Sequence, residues 1–169
     1  MKRYLFIALI TVGGSCSAAD NITSNNISFS GALVDMPACK INDGNILEVN
    51  FGDVGVNKVS EVPNELLRRG VFFDINCEGD RPDVFLRYLG TPTSFNSAAV
   101  QSTITDLGIQ LSRAGDGQKP VPVGEGWLIK AESENTADFS FLAAPVKRKG
   151  AELEGGEFSA TANLRLEFP

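Results

Sequence analysis

Gly156-Glu157-Phe158-Ser159-Ala160-Thr161-Ala162-Asn163-Leu164-Arg165-Leu166-Glu167-Phe168-Pro169 is the stretch on which the reading of this chain turns. Phe158, Ala160, Ala162, Leu164, Leu166 and Phe168 share one parity, and the residues between them are mostly polar. Strict period 2 over this length predicts one long, half-buried strand. A strand this apolar is normally paired on both edges, because an unpaired apolar edge recruits other chains. What lies beside this strand therefore bears directly on function.

Working back along the chain, the same test finds more strands. Val71–Cys77 (Val-Phe-Phe-Asp-Ile-Asn-Cys) is strong strand sequence, and Asp83–Leu89 reads as buried on both faces. Leu107–Leu111, Trp127–Ala131 and Ala137–Ala143 add three more, and Ile46–Phe51 alternates weakly before Gly52. Gly115-Asp116-Gly117 and Lys147-Arg148-Lys149-Gly150 read as turns. Glu61–Arg69 is the one candidate short helix. Seven or eight strands, turn signals between them and little helix predict an all-β sandwich. No repeat, low-complexity block or linker divides the stretch from Asp20 onward.

The first residues read as a targeting segment. Lys2 and Arg3 precede an apolar run from Tyr4 to Val12, and Ser17-Ala18-Ala19 offers small residues for cleavage before Asp20. Residues 1–19 fit a secretory signal peptide, too short to span a membrane. A lipoprotein anchored at Cys16 is the rival, weakened because Gly13-Gly14-Ser15 lacks a branched apolar residue. Removing Lys2 and Arg3 from fifteen basic residues leaves thirteen against twenty-one acidic ones, a net charge of −8. That balance disfavours nucleic acid and anionic lipid as partners. Cys39 and Cys77 remain, and two cysteines in an exported chain most simply form one disulfide.

Much chemistry is missing. There is no His, which removes Ser-His-Asp and Cys-His catalysis and the usual zinc and copper sites. Cys39 and Cys77 are too far apart for a redox CxxC motif, and neither a P-loop nor a post-strand GxGxxG is present. Asp116 between two glycines lacks further ligands at EF-hand spacing and reads as a turn acid. Glu132, Glu134, Asp138, Glu152, Glu154 and Glu157 read as scattered surface acids rather than a glycosidase pair. Trp127 reads as a core or strand-start residue before it reads as a sugar platform. No cofactor, metal site or enzymatic activity is expected.

One constellation is present. A polar tail with alternating apolar residues precedes a cysteine pair of this spacing, and the terminal strand carries Gly156 fourteen residues from the end and an aromatic at the penultimate position. With the segments Ile27–Cys39, Val49-Asn50-Phe51-Gly52, Ile75-Asn76-Cys77 and Leu107-Gly108-Ile109-Gln110-Leu111, the chain resembles the pilin subunits of chaperone–usher pili such as type 1 and P pili. Phe168 departs from the family, which usually has Tyr there, and Pro169 is slightly unusual.

The resemblance implies an incomplete immunoglobulin-like β-sandwich lacking its C-terminal seventh strand, with an N-terminal donor-strand extension. Residues 20–34 would be the extension and 35–169 the pilin domain. Asn25, Ile27, Phe29, Gly31 and Leu33 would be the donor residues. Gly156, Phe158, Ala160, Ala162, Leu164, Leu166 and Phe168 would line the acceptor groove that a periplasmic chaperone and then a neighbouring subunit fill. Burying Ile27, Phe29 and Leu33 would contribute about 5–9 kcal/mol, so the subunit alone should be unstable. On periodicity alone, Ile27–Val34 reads equally well as the first strand of a self-complete sandwich.

The functional expectation is a structural minor subunit of tip or adaptor type. It would meet a periplasmic chaperone, an outer-membrane usher and neighbouring pilins, insert in no membrane, bind no nucleic acid, and travel through the periplasm to the cell-surface pilus. A single-domain adhesin and a pilus terminator are the alternatives. A separate receptor-binding domain does not fit in the twenty residues before the cysteine motif.

Overall fold

The computed structural model describes residues 27–33, 35–115 and 117–169. Nine strands are described: β1 (Cys39–Ile41), β2 (Arg69–Phe72), β3 (Ile75–Cys77), β4 (Val84–Gly90), β5 (Ala99–Gln101), β6 (Leu107–Arg113), β7 (Gly126–Ile129), β8 (Ser140–Lys147) and β9 (Ala162–Glu167). They form a four-stranded sheet ordered β2-β8-β6-β5, a three-stranded sheet ordered β7-β4-β9, and a β1-β3 pair. Every pairing is antiparallel. The fold is all-β and immunoglobulin-like, with sheets that do not close.

Period-2 side chains explain the layers. In β4, Val84, Leu86 and Tyr88 are 0%, 0% and 1% exposed, while Phe85, Arg87 and Leu89 are only half-buried. The expectation of burial on both faces is corrected: Phe85 and Leu89 stand outside the core cluster, and Phe85 has the Arg87 guanidinium over its ring, 5.2 Å from the centroid. Leu86, Tyr88, Trp127 and Ile129 share one core with Val100, Ile109, Leu111, Phe141 and Ala143 of the four-stranded sheet. At Gly126, opposite Arg87, an added Cβ would sit 1.9 Å from the Leu86 carbonyl oxygen, so only glycine lets β7 approach β4 there.

Several expected elements change. Val71–Cys77 keeps its alternation, with Val71, Phe73 and Ile75 buried, but it serves two sheets. β2 pairs with β8, the Phe73 amide donates to the Phe139 carbonyl, and β3 then pairs with β1. Glu61–Arg69 is not a helix. Pro63 precedes a single 3-10 turn over Glu65–Leu67, Asn64 Oδ1 accepts from the Leu66 amide, and Arg69 already opens β2. Ala137–Ala143 begins as a 3-10 turn (Thr136–Phe139), capped by Asn135, before β8 starts at Ser140. Trp127–Ala131 shortens to β7, and Lys147 closes β8 rather than opening the basic turn. Ile46–Phe51 has no ladder partner among the described residues and is not a strand. The terminal strand is confined to Ala162–Glu167, with one further bridge, Ala160 to Ser102.

Residues 27–33 belong to a unit distinct from Asp35–Pro169 and carry no assigned strand; Ile27, Phe29 and Leu33 are exposed. The expected signal segment 1–19, Asn25 and the rest of the expected extension up to Asn26, with Val34, lie outside the described residues. So does Asp116.

Candidate functional site

β9 is the end strand of its sheet, hydrogen-bonded to β4 alone among the described strands. The expected pairing on both edges is therefore met on one. On the other side opens a cleft of about 1650 Å³, lined by Leu153–Leu166 and by the unpaired stretch Gly44–Val54. Its floor is core: Tyr88, Val100, Ile109, Leu111, Phe141 and Ala143. Small-molecule sites are about 300–1,000 Å³, so this cleft exceeds that class. A lining stretch running from Phe158 to Leu166 would extend roughly 25–30 Å as a strand.

Of the residues singled out in the terminal stretch, Gly156, Phe158, Ala160, Ala162, Leu164 and Leu166 line this cleft. Phe158, Leu164 and Leu166 are half-buried and pack on the core, whereas Ala160 and Ala162 are exposed. Phe168 lies past the end of β9, exposed and outside the lining. Sequence reading missed the second wall. Leu47, Val49 and Phe51 are half-buried against the core and alternate with exposed Ile46, Glu48 and Asn50. The weak alternation of Ile46–Phe51 was the available signal. The walls meet where the Phe51 and Phe158 rings lie 6.0 Å apart.

Two devices hold the walls. Cys39 and Cys77 form a disulfide across the β1–β3 register, with Cα atoms 4.0 Å apart. From β1 the chain turns through Asn42, Asp43 and Gly44, all at positive φ (47°, 54° and 83°), residue types that tolerate left-handed backbone. Asn76 Nδ2 donates to Asp43 Oδ1 at 2.8 Å, tying this turn to β3. On β9, Arg87 Nε and Nη2 donate to the Glu167 carboxylate at 2.7–3.0 Å, and Arg165 Nη2 donates to it at 2.6 Å. The Arg87 guanidinium, then that of Arg165, holds the Glu167 carboxyl down to about 2.

Other candidate chemistry is absorbed by structure. Trp127 is buried and donates from Nε1 to the Asp138 carbonyl at 3.0 Å, with the Arg113 guanidinium over its ring. It presents no face to a sugar. Asp138 itself accepts from Arg113 and Ser133, both at 2.7 Å. Among the described residues no His, Cys, Asp and Glu group could hold a metal, and no helix is long and apolar enough to cross a membrane.

An all-β immunoglobulin-like body with an apolar cleft along one end strand defines a class of protein built around an open sandwich edge. Residues 27–169 match the family described as fimbrial protein. The chain belongs to that family, the pilins of chaperone–usher pili. It is 30% identical to the uncharacterized fimbrial-like protein YfcQ of Escherichia coli K12, over 98% of this chain and 99% of that protein. It is 24% identical to the fimbrial adapter PapF of Escherichia coli, over 99% of each. The solved structure of the P pilus adaptor subunit PapF superposes with a TM-score of 0.58 at 20% identity, covering 80% of this chain and 98% of that one. The P pilus rod subunit PapA superposes with a TM-score of 0.54 at 23% identity, covering 85% and 100%. The protein is a pilus subunit with a structural, non-enzymatic role at the cell-surface pilus, where it joins other pilins.

Proposed function

We propose that this chain is a minor subunit of tip or adaptor type, assembled by donor-strand complementation and exchange and contributing to adhesion through the pilus that it helps to build. The observation that carries the reading is the open edge of β9 beside a cleft floored by core side chains. An added strand there would satisfy the free backbone groups of β9 and cover apolar floor, which is recognition by β-augmentation. A periplasmic chaperone would lend that strand first, and a neighbouring subunit delivered at the outer-membrane usher would replace it. Residues 20–34 would be given in turn to another subunit through Asn25, Ile27, Phe29, Gly31 and Leu33, after removal of residues 1–19. The placement as an adaptor draws on the similarity to the adapter PapF and to the minor fimbrial protein PrsF of Escherichia coli.

Gold labelling of an epitope-tagged chain on isolated pili tests the position. Label confined to fibre tips is expected. Label along the whole shaft would make it a rod subunit, and label at the base a terminator.

A further inference from the structure

The rim of the cleft is charged, and its charge is one-sided. Glu48, Asp53, Glu154 and Glu157 line it, all exposed, and none forms an ion pair among the described residues. Three of them flank in sequence the Phe51–Phe158 contact that joins the walls: Asp53 stands two residues after Phe51, and Glu157 and Glu154 stand one and four residues before Phe158. The cationic lining residues are Lys40 and Arg165, and Arg165 is already committed to Glu167. Arg69 donates to the Phe51 carbonyl but lines a separate, smaller gap with β2.

Resting on the reading of the cleft as a strand acceptor, we propose that its cognate occupant is an extended segment of a different chain, one carrying Lys or Arg beside its alternating apolar residues. The apolar floor sets the alternation and the acidic rim selects the flanks. A second copy of this chain is the weaker match in its flanks alone: residues 20–34 contain Asp20 and no Lys or Arg, and Asp35 follows, while Ile27, Phe29 and Leu33 keep the alternation that the apolar floor requires. Such a copy brings carboxylates to a carboxylate rim, so the same charges that favour a basic partner discourage self-polymerisation.

The test refolds the full chain from denaturant with synthetic peptides that share the sequence of residues 27–33 and differ only in two Lys or two Glu at each end. Affinity is read from the peptide dependence of soluble 1:1 complex. The Lys-flanked peptide is expected to bind roughly 10-fold more tightly at low salt, the summed effect of a few exposed ion pairs. The gap should shrink to about twofold near 1 M salt, where the Debye length is about 3 Å. A triple variant, Asp53→Asn, Glu154→Gln and Glu157→Gln, should bind both peptides alike. Equal affinities in the natural chain, or a preference indifferent to salt, overturn the charge selection and leave the strand acceptor standing. Binding of neither peptide overturns both.

Discussion

Replacing Cys39 and Cys77 by Ser removes the clamp that sets one wall of the cleft. The cross-link closes a separation of 38 residues, which in the chain-entropy treatment is worth about 4 kcal/mol at 25 °C. Locally the loss is concentrated, because β1 has three residues and pairs with β3 alone; an isolated two-stranded pair is marginal in water. The Gly44–Val54 wall hangs from β1 through the Asn42–Gly44 turn, so loosening β1 frees the wall. Urea unfolding of the donor-complemented chain should therefore shift its midpoint down by about 2 M, given a slope near 2 kcal/mol/M. Amide exchange should rise first in residues 39–54. A midpoint change below about 0.5 M, with unchanged protection of that stretch, would refute the reasoning that the disulfide sets the wall.

Leu164→Asp places a carboxylate on the cleft lining of β9, and burying it unpaired beneath an added strand is costly; co-purification with the chaperone should be lost, and Phe158→Asp should behave alike. Phe29→Asp alters an exposed residue of the proposed extension, so chaperone capture should persist while insertion into a neighbouring subunit fails, read as absence of higher polymers on usher-dependent assembly. The Glu167 carboxyl, depressed by Arg87 and Arg165, favours folding above the ordinary carboxylate pKa near 4.5 and loses that effect as pH falls toward about 2. Glu167→Gln should flatten stability between those pH values, measured by urea midpoints at a series of pH values.

The chain shows its frame wherever period 2 is long and carried by large side chains. β4 falls on a stretch of that kind, β6 carries Leu107, Ile109 and Leu111 at period 2, and the parity of Phe158, Leu164 and Leu166 is the parity that packs on the core; β8 overlaps its expected stretch only over Ser140–Ala143. β1 and β5 escaped because three residues are too few to display a period, and Ala99-Val100 is buried without alternating. The division of Val71–Cys77 between two sheets was invisible because its alternation runs through the break; hydrogen bonding to Phe139 and Asn42, distant in sequence, decides it. Half of the cleft was legible in β9. The other wall was not, because Leu47, Val49 and Phe51 show the alternation of a strand without being paired as one.

Thermal unfolding of two forms of the chain tests the strand-acceptor cleft most directly. One form starts near Gly31; the other is the same with a copy of Asn21–Asp35 fused after Pro169 through a flexible linker. Ile27, Phe29 and Leu33 are 76%, 89% and 106% exposed, so nearly their whole transfer free energy is available on insertion. The account predicts that the fused form alone is a soluble monomer with a cooperative melt, higher by about 10 °C or more. Equal, cooperative melts of both forms would show the sandwich complete without an added strand and would contradict it.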